Sequence, residues 1–167
     1  ADTPDASSIP KQEALSNVRL SKEPVTQELL EKSSVMEQVD LETLDTKVYS
    51  DLSIDGAKRQ DHYQIKKNGT LHVTFKLFGH PGVRHRVTFY ANHQALSGKD
   101  GDAFETTLTK GNAAVIEADL ELEKMEDFNT FYAVSVPLNA DDFPDDVVVM
   151  EKTDSLLLYK GSERNGQ

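Results

Sequence analysis

Seven basic side chains crowd one stretch of this 167-residue sequence: Lys58, Arg59, Lys66, Lys67, Lys76, Arg84 and Arg86, with Asp61 the single acid among them. Four of the five histidines, His62, His72, His80 and His85, share the stretch. Residues 100–154 reverse the balance, with fifteen acids against three lysines. Two arrangements follow from such segregation. A cationic face of Lys66, Lys67, Lys76, Arg84 and Arg86, with Tyr90 as its aromatic neighbour, would attract an anionic polymer or the acidic patch of a protein partner. Alternatively, basic and acidic strands lie side by side and neutralise one another, which is the commoner finish for an exposed sheet face.

Other chemistries find less support. Nucleic acid is a poor partner for a chain of net charge −11 and pI 4.8, because binding domains show the opposite footprint. The aromatics among the lysines do not rescue it, since Phe75 alternates onto a buried register. His80, His85 and His93 invite a metal, yet His85 and His93, read on one strand, stand about 26 Å apart. Zinc needs three or four ligands, and no carboxylate here is spaced to complete the set. Solvated or hydrogen-bonded histidine is the expectation. Calcium prefers carboxylate oxygen, and Asp100, Asp102, Asp141, Asp142 and Asp145 are weak candidates. They lack the twelve-residue EF-hand pattern and its flanking helices.

Glu117, Asp119, Glu121 and Glu123 recur at period two, with neighbours about 6.6 Å apart. A glycosidase pair needs comparable spacing inside a cleft with one acid shielded. A regular strand projecting into water offers no cleft. No serine sits in a Gly-x-Ser-x-Gly elbow, and Gly79-His-Pro-Gly82-Val-Arg-His85 lacks both the Walker spacing and a following helix. The chain has no cysteine, which removes disulfides, thiolate metal sites and a cysteine nucleophile. Asn68-Gly69-Thr70 matches a glycosylation acceptor, but Asn-Gly is first a hairpin signal. No cofactor is implied.

The elements that would position these residues are mostly strands. Residues 1–24 hold Pro4, Pro10 and Pro24, with Ile9, Leu15, Val18 and Leu20 at no clear period, and read as a disordered tether. Residues 25–41 contain a short helix around Gln27–Lys32. From Thr46 to Ile54 the period becomes two. Tyr63–Ile65 and Leu71–Leu77 read as a hairpin about Asn68-Gly69. Val83–Leu96, Phe104–Thr109, Ala114–Leu122, Phe131–Leu138, Val147–Met150 and Leu156–Tyr159 follow as further strands. Phe75 and Phe89 alternate inward.

Strands at such spacing, with no long helical pattern between them, predict a mainly β fold. The expected form is an Ig-like antiparallel β-sandwich of about seven to eight strands over 42–160, with 161–167 frayed. Without Cys or Trp the immunoglobulin Cys-Trp-Cys signature is impossible. No apolar run approaches the roughly 20 residues of a membrane helix. The chain opens on Ala1 instead of Met, which suggests a removed leader or a domain edge, and the composition of its first residues leans toward an extracellular or cell-envelope setting. The functional expectation is a non-catalytic binding module for a protein or anionic cell-surface polymer. The alternative is a carbohydrate-binding accessory domain, with Tyr63, Tyr90 or Tyr132 stacking on sugar, or a hydrolase whose site is assembled from loops.

Overall fold

Alternation at period two builds most of the molecule, and its strands divide between two sheets. A computed structural model of the chain describes residues 12–33 and 41–161. In order they form β1 (Leu15–Pro24), α1 (Gln27–Lys32), β2 (Val48–Ile54), β3 (His62–Ile65), β4 (Thr70–Gly79), β5 (Arg84–Ala91), β6 (Gln94–Ala95), β7 (Phe104–Thr107), β8 (Asn112–Glu121), β9 (Phe128–Pro137), β10 (Glu151–Lys152) and β11 (Leu156–Lys160). One sheet is antiparallel throughout, in the order β1-β8-β4-β2. The seven-stranded sheet runs β3-β11-β9-β5-β6, with β10 on β9 and β7 on β5. Among the described residues its one parallel strand pair is β3 with β11.

The inward faces of both sheets share one core. Val73, Phe75 and Leu77 of β4 and Ile116, Ala118 and Leu120 of β8 meet Val87, Phe89 and Ala91 of β5 and Phe131 and Ala133 of β9. Phe75 and Phe89 are fully buried, as their alternation predicts, and meet edge to face across the sheets with centroids 6.3 Å apart.

A second cluster lies outside the four-stranded sheet. Tyr49 and Phe78 stack at 5.8 Å and are joined by Val25, Leu29, Leu30, Leu44 and Ala113. This explains why β2 is buried at Tyr49 as well as at Val48. Six residues are too few for a helix to stand alone in water, so α1 depends on this contact and on its cap. Thr26 Oγ1 accepts from the Leu29 N–H at 3.1 Å. Thr26→Ala is expected to lower stability by about 1 kcal/mol, measured by chemical denaturation; an unchanged midpoint would mean α1 is held by packing alone.

Several expectations need correction. Residues 1–11 of the expected tether lie outside the described residues, but Leu15–Pro24 is an edge strand paired with β8. Before it, the Gln12 N–H donates to the Ala95 carbonyl and the Leu15 N–H to the Ser97 carbonyl. The chain thus straps the end of β6 before crossing to the other sheet. A bulge between Ser16 and Arg19, with Asn17 at φ +53°, shifts the register and erases the period that would have revealed the strand. That bulge, Lys22 and Pro24 are the features that blunt an exposed edge.

The expected hairpin of β3 and β4 does not form. Both edges of β4 are taken, by β2 and by β8, so the four residues of β3 pair elsewhere and Asn68-Gly69 becomes a crossover between sheets. The expected strand over Val83–Leu96 is broken at Asn92-His93, whose φ values of +55° and +66° make a two-residue turn between β5 and β6. Around Val147 the chain makes a 3₁₀ turn, Asp145–Val147, and pairs only at Glu151–Lys152. Among the described residues, eleven strands, one pair of them parallel, replace the seven or eight antiparallel ones expected. The short helical lead-in is seen as α1, residues 34–40 and 162–167 lie outside the described residues, and no described helix is long and apolar enough to cross a membrane.

Candidate functional site

The residues of the expected cationic face are divided between the sheets. Lys76 belongs to β4, where its Nζ lies 3.0 Å from Glu23. Arg84, Arg86 and Tyr90 belong to β5 in the other sheet. Lys66 and Lys67 are exposed in the crossover after β3. No single face holds all six.

On the four-stranded sheet, charges close on one another. His72 of β4 sits between two carboxylates of β8, Nδ1 2.8 Å from Asp119 and Nε2 2.9 Å from Glu117. Arg19 of β1 reaches Glu117 at 3.1 Å and Asn17 donates to Asp119 at 2.9 Å. The hydrogen bonds to Asp119 and Glu117 raise the His72 pKa above its ordinary value. His72 and Arg19 hold Glu117 low, and Asn17 and His72 hold Asp119 low. Nearby, Arg59 bonds Asp51 at 3.1 Å and donates to the Lys32 carbonyl. Of the four acids expected to project freely into water, Glu117 and Asp119 are cross-strand partners, Glu121 lies 3.3 Å from Lys124, and Glu123 leaves the strand for the 3₁₀ turn Leu122–Lys124.

The outer face of the seven-stranded sheet is different. Along β5 it presents Arg86, Thr88 and Tyr90, and register places Val136, Val134 and Tyr132 of β9 beside them. Lys152 of β10 lies against Val134 on the other side. The Tyr90 and Tyr132 rings stack at 5.3 Å with 11° between their planes. Lys152 Nζ stands 4.5 Å over the Tyr132 ring, an attractive placement for a cation on a π face. His93 Nδ1 and the Tyr132 hydroxyl are 3.0 Å apart. Burial, then Tyr90, pushes the Tyr132 hydroxyl above its ordinary pKa. Beside this stack lies an open hollow of about 350 Å³, floored by Thr88, Val134 and Val136 and bounded by Arg86, Tyr90 and Asp102. Arg86 makes no ion pair with a described residue. Lys152 donates to the Thr153 carbonyl and the Ser155 hydroxyl but meets no carboxylate among the described residues.

The remaining candidates scatter. Tyr63 is buried, its hydroxyl accepting from the Gln60 N–H at 3.0 Å, and is not available for stacking. His80 bonds the Asp45 carbonyl through Nδ1 at 2.9 Å. His93 is in a turn, not on a strand with His85. Contrary to the expectation of a solvated or hydrogen-bonded ring, His85 is fully buried with neither ring nitrogen partnered, and the Ser135 hydroxyl is likewise buried and unpartnered. Burial alone pushes the His85 pKa down to about 4. Asp100, Asp102, Asp141, Asp142 and Asp145 form no metal-holding group of three or more ligands among the described residues.

Sequence reasoning named Arg86, Tyr90 and Tyr132 but not Val134, Val136 or Lys152 as parts of one surface. A usable signal was present: Phe131–Val136 is apolar on both phases of the strand except at Ser135, whereas a strand with one wet face alternates. No protein-family model, characterised protein or solved structure matches the chain.

Proposed function

We propose that this protein is a non-catalytic binding module, exported or displayed at a cell surface, whose Ig-like sandwich turns the outer face of its seven-stranded sheet toward an anionic polymer. One observation carries the reading: Arg86 and Lys152 flank the Tyr90–Tyr132 stack with no carboxylate partner among the described residues, in a chain of net charge −11. On the opposite sheet the cations of β1 and β4 are taken by acids. His72 and His85, whose pKa values are shifted in opposite directions, do not line the hollow, which favours binding there over acid–base catalysis. The half-buried Tyr90 edge favours sugar as the polymer's backbone, which joins the carbohydrate-binding alternative to this reading.

The test is a titration with an anionic polysaccharide at low and at physiological salt. Affinity should fall steeply as salt rises, and Arg86→Glu/Lys152→Glu should weaken binding at least about tenfold, as loss of two central cations does. Lys66→Glu/Lys67→Glu supplies the control for charge alone and should change little. Salt-independent binding, or equal losses in both double variants, would remove this face from the function.

A further inference from the structure

We infer that Asn68 is a site of spontaneous covalent modification, at which the backbone nitrogen of Gly69 closes on the side-chain amide and converts asparagine to isoaspartate and aspartate. The site lies in the crossover between the sheets, and none of its residues borders the hollow beside Arg86. Lys66, Lys67, Asn68 and Gly69 are all exposed there. The two ends of the crossover are pinned. The Ile65 carbonyl accepts the Gly161 N–H at 3.2 Å, and the Gly69 carbonyl accepts the Leu122 N–H at 2.8 Å. Between these anchors Asn68 makes no hydrogen bond to a described residue, and Gly69 gives its N–H to none. A Cβ placed on Gly69 would meet nothing within 4 Å, so the space around the dipeptide is open.

Six asparagines fall among the described residues. Five have the amide nitrogen tied at 2.7–3.2 Å: Asn17 to Asp119, Asn92 to Asn129, Asn112 to Thr109, Asn129 to the Glu126 carbonyl and Asn139 to the Gly82 carbonyl. Each of the five is also followed by a residue with a Cβ beside the nitrogen that would attack. Glycine has no such atom and reaches backbone angles that other residues resist; Gly69 stands at φ +91°. Among the described residues, Asn68 alone joins a free amide to a following glycine. The step is an internal acyl transfer. The Gly69 nitrogen loses its proton to solvent base and adds to Asn68 Cγ. A C–N bond forms, the Cγ–Nδ2 bond breaks, and the amide nitrogen takes up a proton and leaves as ammonia. A five-membered succinimide remains, and water opens it at either carbonyl. Opening at Cγ gives aspartate. Opening at the main-chain carbonyl gives isoaspartate, which lengthens the backbone by one methylene. Either way a carboxylate replaces a neutral amide beside Lys66 and Lys67.

The experiment holds the folded full chain in heavy-oxygen water at mildly alkaline pH and physiological temperature, and follows its peptides by mass spectrometry over days. Asn68 should convert at least about tenfold faster than any of the other five, the factor set by the one hydrogen bond each of those must first break. The product should carry one solvent oxygen and contain both isoaspartate and aspartate, which electron-transfer fragmentation tells apart. Its rate should rise with hydroxide, because the attacking nitrogen must lose a proton. Asn68 is exposed, so Asn68→Gln should fold, which its unfolding midpoint verifies, and should stay unmodified because its ring would be one atom larger. Unfolding in urea frees every amide and should speed the other five more than Asn68. Aspartate as the sole product overturns the cyclisation, since direct hydrolysis of the amide makes no isoaspartate. Conversion of Asn68 no faster than that of Asn17 or Asn139 in the folded chain overturns its selection as the site.

Discussion

Truncating Phe89 to alanine is expected to lower the unfolding free energy by about 3–5 kcal/mol, the range for a large aromatic removed from a core that cannot collapse around the gap. Its ring stacks on Phe131 at 6.1 Å within its own sheet, meets Phe104 at 6.5 Å, and meets Phe75 of the opposite sheet edge to face. Loss of this one side chain leaves a void where both sheets meet, walled by rings that are themselves packed on one another. Thr88, next along β5, points to the other face and is half-buried; Thr88→Ala should stay within about 1 kcal/mol of wild type. Urea unfolding with a common slope measures both. Small, equal effects would show that β5 does not carry its core residues on this phase.

The second large effect is pH-dependent and belongs to His85. Its folded pKa is pushed down to about 4 by burial, while the unfolded chain titrates near 6.5, the ordinary histidine value. Between those values the unfolded state binds the extra proton, so stability falls as pH drops from about 6.5 toward 4. At pH 4 the loss approaches about 3 kcal/mol, since each tenfold difference in proton affinity between the folded and unfolded states is worth about 1.4 kcal/mol. Register places Thr106 and Pro137 opposite His85, and Asp51, the one buried carboxylate among the described residues, belongs to β2 of the other sheet and is paired with Arg59. His85→Leu should therefore flatten the acid limb of a stability–pH curve. It should also be no less stable than wild type at pH 7, because it removes an unpartnered buried polar group. Acid limbs of equal slope in the two proteins would show that other groups govern the acid response. His72 acts with the opposite sign: its pKa is raised, so its contribution is complete below its unfolded pKa and is lost as pH climbs through the folded value. The two histidines thus act on stability in opposite directions as pH changes.

What could be read from sequence was mostly phase. Alternation placed Phe75, Phe89, Val73 and Leu77 inward, and these positions are fully buried. Phase says which face a residue occupies, but not which strand lies alongside, so it cannot tell that Tyr63–Ile65 and Leu71–Leu77 belong to different sheets. Charge counting found the cations, but Lys76 and Arg86 lie in different sheets. β1 was invisible because one left-handed asparagine displaces Val18 and Leu20 from the register of Leu15. The candidate surface is half legible: Tyr90 is apparent in the alternation of β5, whereas Tyr132 sits in a stretch apolar on both phases and Lys152 joins them through a two-residue strand too short to leave a pattern.

The parallel pairing of β3 with β11 carries a consequence for how the chain acquires its structure. Residues 62–65 wait for 157–160, near the far end of the domain. On a ribosome, β2 and β4 can meet early, since they are near neighbours in sequence. The seven-stranded sheet cannot gain its β3 edge until the last strand emerges. Closing so long a loop before any contact rewards it is slow, and through that interval Tyr63 and Ile65, buried in the finished protein, stay exposed. A nascent chain stalled before Leu156 should be a substrate for chaperones that hold apolar segments, and release of the final strand should end that dependence.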